Sequence, residues 1–334
     1  MNKALRLTIC IALMVVSTLI GLFFNIYLFM AIYRPIAYGK SMKYREFVCK
    51  IPEVSSGYAP QGIAYSEEND LYLLTGYAKD NESVLYVVQN GEYRRVYLAD
   101  EDGNVVKGHA GGITCAKDFV YLANGSKLQI FSLSEILKAQ GTDRVKSIGV
   151  KHMPLGAAFT HSDGINIYVG EFYRAGNYET ELSHYYTTEA GAENKALITC
   201  FPLNADGSIF GDYPIYAVSI PGLVQGAAIK DGKYILSRSY GLKDSKLEYY
   251  EAPTYTRTNV KLEFRAAANL DPVEVPLYYL DDTKLVKRLN LPAFSEDLTV
   301  NGDRVVVTNE NACNKYIVGK LFNGGKVYSY PLEF

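Results

Sequence analysis

Side chains able to bind a ligand, hold a metal or move a proton recur along this chain at matching places in a repeated pattern. Gln61, His109, Gln225, Glu296 and Asp297 open short apolar runs. Tyr77, Asn124, Glu171, Arg238, Ser239, Asn309 and Glu310 close the runs that follow. Three kinds of chemistry suit such a set. Glu171, Glu296, Asp297 and Glu310, with Asn309, would make an oxygen-rich shell of the kind that Ca²⁺ or Mg²⁺ takes. Two of the catalytic candidates Glu171, Glu296 and Glu310 could instead serve as acid and base in glycoside cleavage, with His109 as a further proton carrier. Or Gln61, His109, Glu171, Gln225, Arg238, Glu296 and Glu310 could line a site that binds a glycan, a peptide or a partner protein without turning it over. A polar ring that only satisfies exposed backbone N–H groups is the plainest alternative.

What would position these residues is a repeat. APQGIAY at 59–65 returns, altered, as HAGGIT at 109–114, PLGAAF at 154–159, VQGAAI at 224–229 and SEDLTV at 295–300. A polar turn and a second apolar, β-rich run follow each copy. A motif that returns roughly every 45–70 residues and opens a hairpin each time marks a repeat architecture. Each repeat reads as four strands, from an inner one to an outer one. The fifth supplies only three, the last at 326–332, and residues 44–51 stand where the other outer strands stand, ahead of a motif. Pairing these two segments would close a ring and remove its open edges. The expectation is an all-β, five-bladed β-propeller over residues 44–334. The long last two intervals leave room for a degenerate sixth blade.

Some assignments are more detailed. In the second repeat 134–139 reads as a short helical link and 144–150 as the outer strand. In the fourth, 246–250 and 277–280 flank a long insertion and 284–289 ends the blade. Insertions at 173–195 and 251–276 would project from the scaffold, the first toward the channel mouth, where loops commonly carry function.

Ahead of the repeats, after a short tail at 1–6, residues 7–33 carry no charge. A helix of about 27 residues spans about 40 Å, enough to cross a bilayer with some tilt. The run is longer than a signal-peptide core and lacks a small-residue cleavage pattern. The expectation is an uncleaved single-pass anchor, a tether at 34–43 and an extracytoplasmic propeller. The flanking Lys and Arg residues give only a slight bias the other way.

The chain has 29 Tyr, 14 Phe and no Trp, a balance that suits half-buried sheet surfaces. Net charge is −2 with no basic block, which argues against a nucleic-acid partner. The five cysteines are scattered without metal-ligand spacing; only Cys49 and Cys313 would approach each other on ring closure.

The elements PQG at 60–62, GHAGG at 108–112, VGEF at 169–172, VQG at 224–226 and LSRSY at 236–240 resemble bacterial secreted or membrane-anchored β-propeller proteins, over about residues 44–332. More distantly the chain is similar to the gluconolactonase and strictosidine-synthase-like propellers, which have six blades. That likeness implies a lactonase-type hydrolase with a divalent metal at the channel, held through positions matching Glu171 and Glu310.

Overall fold

The computed structural model describes residues 2–265, 268–322 and 324–333. A 42-residue helix, α1 (Lys3–Tyr44), leads into β1 (Glu46–Lys50) and then into five twisted β-sheets set around one axis. Blade one runs outward through β2 (Ala59–Ser66), β3 (Leu71–Tyr77), β4 (Ser83–Gln89) and β5 (Glu92–Ala99). Blade two consists of β6 (Gly112–Ala116), β7 (Phe119–Ala123), β8 (Gly125–Ser132) and, beyond α2 (Leu133–Lys138) and β9 (Arg144–Lys146), β10 (Gly149–Ala157). Blade three holds β11 (Phe159–Ser162), β12 (Asn166–Gly170), β15 (Ala196–Pro202) and β16 (Tyr216–Ile220), with a small hairpin of β13 (Tyr186–Thr187) and β14 (Glu193–Asn194) in its insertion. Blade four is β17 (Val224–Lys230), β18 (Lys233–Arg238), β19 (Ser245–Tyr250) and, after β20 (Thr254–Leu262) and β21 (Val273–Tyr279), β22 (Leu285–Leu291). Blade five is β23 (Ser295–Asn301), β24 (Arg304–Asn309), β25 (Lys326–Pro331) and β1. The fold is a five-bladed β-propeller.

The hydrophobic core is divided into five layers, one between each pair of neighbouring blades. Leu73 and Leu85 of blade one meet Ile113 and Leu122 of blade two. Tyr121 and Leu128 meet Ile167 and Phe201 across the next gap, and Ile198 and Val218 meet Ala227 and Leu236 across the third. Leu247 and Leu289 face Val305 and Tyr330, while Ile63 and Val84 face Val306 and Val327 across the gap that completes the circle. Strands buried on both faces lose the strict alternation of a surface sheet, so the inner runs read as near-continuous apolar segments.

The closing contact is as expected: β1 pairs antiparallel with β25, Glu46 opposite Ser329 and Lys50 opposite Lys326. Three details differ from the sequence reading. Residues 144–150 split, with β9 adding in parallel to the edge of blade one and β10 starting only at Gly149. The motif copy at 154–159 therefore lies mostly in the outer strand of blade two, and the inner strand of blade three begins at Phe159. Residues 277–280 do not belong to blade four, because β20 and β21 form a hairpin that docks on β16 of blade three in parallel. Both rearrangements cover an outer edge that would otherwise present unpaired backbone groups.

α1 is long and apolar enough to cross a membrane. Its large apolar side chains are exposed over most of the segment, Phe23 by 66%. Thr8, Thr18 and Asn25 return their polar groups to backbone carbonyls one turn back. Residues 34–43 are no loose tether. The helix continues through Pro35, and Tyr33 and Tyr38 donate from their hydroxyls to the two oxygens of Asp244 at 2.7 and 2.6 Å. Arg304 donates to the Tyr44 carbonyl at 2.8 Å, fixing the turn from helix into β1.

Deleting residues 45–51 removes the closing strand along with buried Cys49 and Ile51. With a loss of roughly 3 kcal/mol or more, the melting temperature should fall by about 6–12 °C. Calorimetry showing the parent melting temperature would refute closure as a source of stability.

Candidate functional site

One face of the ring opens into a cavity of about 690 Å³. A shared backbone device supplies three of its polar side chains. The ladder between inner and second strand slips in blade one between Pro60 and Gly62, in blade four between Val224 and Gly226, and in blade five between Ser295 and Leu298. Such a bulge leaves an unpaired residue and re-aims its side chain. In blades one and four that residue is Gln61 and Gln225, and in blade five the slip spans Glu296 and Asp297; Gln61, Gln225 and Glu296 line the cavity.

Glu310 follows the end of β24, where its N–H donates to the Phe294 carbonyl at 3.0 Å. Gln61 Nε2 donates to Glu310 Oε2 at 2.9 Å and to its neighbour's carbonyl, that of Pro60, also at 2.9 Å. Glu296 is almost fully buried beside Glu310. Burial, with the Glu310 charge beside it, pushes the Glu296 carboxyl well above its ordinary range. Glu310 is itself pushed up to about 7, by burial, with Glu296, Lys315, Tyr316 and Gln61 working in the opposite direction. Burial thus works against ionisation of both acids, and the Glu310 charge works further against that of Glu296.

Around this pair the wall is aromatic and basic. Tyr77 stacks on His109 with centroids 5.0 Å apart, and Tyr316 lies against Phe294 at 4.8 Å. Lys315 reaches the Tyr77 hydroxyl, its Nζ 4.8 Å from the Tyr77 ring centroid. Burial and the nearby Lys315 ammonium lower the His109 pKa, keeping the imidazole neutral. Asn124 and Ser239 also line the cavity.

Glu171 lines the same cavity, but its partner is His184 of the first insertion, with Nδ1 2.8 Å from Glu171 Oε1. Leu197 N–H donates to the same oxygen at 3.0 Å. Burial raises the Glu171 pKa and His184 opposes that rise. Among the described residues His184 Nε2 has no hydrogen-bond partner. The first insertion thus helps to shape the site, as Tyr178, Glu179 and Glu181 do with it, and Glu263 and Arg265 bring the second insertion to the rim.

Three expected site residues lie elsewhere. Arg238 turns away to Glu248, with Nη1 to Oε2 at 3.0 Å, and to the Gly222 carbonyl. Asp297 sits beneath the cavity floor, its Oδ2 accepting from Ile63 N–H at 3.2 Å and Ile113 N–H at 3.3 Å. Asn309 donates to the Lys326 carbonyl and faces a different cavity, beside α1. The expected Ca²⁺ or Mg²⁺ shell is accordingly dispersed: Glu171 is tied to His184, Asp297 to backbone, and Glu296 to Glu310. Among the described residues no three His, Cys, Asp or Glu side chains group as metal ligands. Cys49 and Cys313 are both buried free thiols.

Sequence reading missed His184, Lys315, Tyr316 and Phe294. His184 could have been noticed as the one histidine of an insertion rich in Glu and Tyr. Lys315 and Tyr316 sit in a loop whose sequence has no period to flag it.

No protein-family model matches the chain, and no curated protein matches it in sequence. Among solved structures it is similar to regucalcin, a calcium-binding protein from Agrobacterium tumefaciens, at 11% identity and a TM-score of 0.41, covering 85% of this chain and 93% of that one. It is similar to a luciferin-regenerating enzyme at 12% identity and a TM-score of 0.39, covering 84% and 94%. A gluconolactonase from Xanthomonas campestris is similar at 11% identity and a TM-score of 0.33, covering 86% and 94%. These likenesses extend no further than a common β-propeller architecture.

A raised carboxyl pKa means that the folded state binds more protons than the unfolded chain above the ordinary pKa of 4.5. The stability this contributes is full below pH 4.5 and is lost as pH rises through about 7. Glu296→Gln mimics the protonated acid. The melting temperature of the parent should therefore fall between pH 5 and pH 8 relative to that of the variant, by about 2–5 °C. Parallel pH profiles would show that ionisation of this pair does not oppose folding.

Proposed function

We propose that this chain is a membrane-anchored module whose channel-mouth cavity binds a glycan. The supporting observation is that aromatic rings and neutralised hydrogen-bonding groups line a single cavity of about 690 Å³, within the usual range for small-ligand sites. Tyr77, Tyr178, Tyr240 and Tyr316 offer ring surface to the C–H faces of a sugar. Gln61, Gln225, Glu310 and His109 exchange hydrogen bonds with hydroxyls in both directions.

Support for the anchor is the exposed apolar surface of α1, which is costly in water and favourable in a bilayer. We place the propeller on the extracytoplasmic side, because an N-terminal apolar segment ahead of one large domain behaves as a signal-anchor. Protease added to intact spheroplasts should then digest the propeller; complete protection would reverse the orientation.

The binding test is titration of the purified full chain against an oligosaccharide panel. Glu310→Gln and Tyr77→Ala should each weaken a hit at least ten-fold, about 1.4 kcal/mol, while the domain keeps its circular-dichroism spectrum. Absence of any oligosaccharide binding by the parent would overturn the glycan reading. Lactone hydrolysis by the parent that Glu310→Gln abolishes would replace it with the hydrolase reading.

A further inference from the structure

A second cavity, of about 310 Å³, lies between the end of α1 and blade five. Its propeller wall holds polar atoms with no visible use. Thr308 is fully buried and Asn311 is 2% exposed, and among the described residues neither Thr308 Oγ1 nor Asn311 Oδ1 has a hydrogen-bond partner. Asn309 Oδ1, in the same wall, also lacks one among the described residues. The orientation of both amides is fixed from the other end, since Asn311 Nδ2 donates to the Ala293 carbonyl at 3.0 Å and Asn309 Nδ2 to that of Lys326 at 2.8 Å. Both oxygens are therefore acceptors awaiting a donor, and buried polar atoms rarely stay unpaired.

The helix wall supplies the complementary charge. Arg34 and Arg45 line the cavity, and among the described residues no carboxylate does. Neither arginine makes an ion pair among the described residues; Arg34 Nε donates to the Met30 carbonyl, and the Arg45 guanidinium lies 4.5 Å from the Tyr328 ring centroid. The uncharged run ends at Tyr33 and the cavity begins at Ala31, so it sits at the depth where a spanning helix leaves the hydrocarbon for the headgroup layer.

We propose that this cavity holds the headgroup of an anionic phospholipid of the phosphatidylglycerol type. The phosphate meets Arg34 and Arg45, and the terminal glycerol hydroxyls donate to Asn309 Oδ1 and Asn311 Oδ1 and exchange with Thr308. A choline headgroup carries no donor to offer these acceptors. The assignment rests on α1 being a membrane anchor, which is tested separately below.

The test uses the full chain in nanodiscs of equimolar phosphatidylglycerol and phosphatidylcholine. Native mass spectrometry of the released protein should show several-fold preferential retention of phosphatidylglycerol, and discs rich in that lipid should raise the melting temperature over pure phosphatidylcholine discs. Thr308→Val keeps the side-chain shape and removes the hydroxyl; it and Arg34→Gln should both lose the preference and the shift. Equal retention of the two lipids overturns the proposal. So does a Thr308→Val variant that is more stable in every lipid and still prefers phosphatidylglycerol, which would mean an empty, dry wall. An equal shift from glycerol 1-phosphate in lipid-free detergent would assign the cavity to a soluble phosphate ester instead. Failure of the chain to float with liposomes would reject the anchor itself, and the lipid site with it.

Discussion

Five sheets can share an axis only if their inner strands come unusually close, and one carboxylate holds that meeting point together. Asp297 of blade five reaches across to Ile63 of blade one and Ile113 of blade two, giving both N–H groups an acceptor where no strand is available to pair with them. Burial pushes its carboxyl well up, while the backbone donors of Leu298, Ile63 and Ile113 pull the other way. Its Oδ1 lies where a Cβ on Gly226 of blade four would stand only 2.6 Å away. A Cβ on Gly112 would meet Phe159 Cα of blade three at 2.5 Å. The recurring glycine of the motif is thus a condition of closeness: a side chain there would force adjacent blades apart.

This explains why the architecture was legible. In blades one, two and four the motif marks the inner strand because crowding there dictates glycine at one position, with a bulge beside it in blades one and four. Blade number and terminal closure follow from counting those copies. The misassigned strands have a common cause too. An outer edge can be covered by any strand of adequate β propensity, and nothing in 144–150 or 277–280 encodes which neighbour it will join. Similarly, the helical continuation through Pro35 depends on Asp244, a residue some two hundred positions distant.

The candidate site was legible in part for the same reason. Gln61, Gln225 and Glu296 occupy bulge positions, and the bulge fixes where they point. Arg238 and Asp297 carry equally polar side chains from neighbouring positions, yet each is claimed by a buried partner, Glu248 in one case and backbone N–H groups in the other. Burial makes such pairings compulsory, because an ion or donor enclosed without a counterpart is too unfavourable to persist. What remains free to face the cavity is whatever the interior has not already used. The acids that do remain are tempered: Glu296 by burial, Glu310 by Gln61 and Lys315, Glu171 by His184.

The join between β1 and β25 also sets a timetable for biosynthesis. β1 precedes every blade along the chain and pairs with β25, which follows them, so β1 stays unpaired until blade five has been made. Ring closure is then the last strand pairing to form. An interrupted chain leaves blade five incomplete and its edge open, a state readily distinguished by quality-control proteases from the closed form.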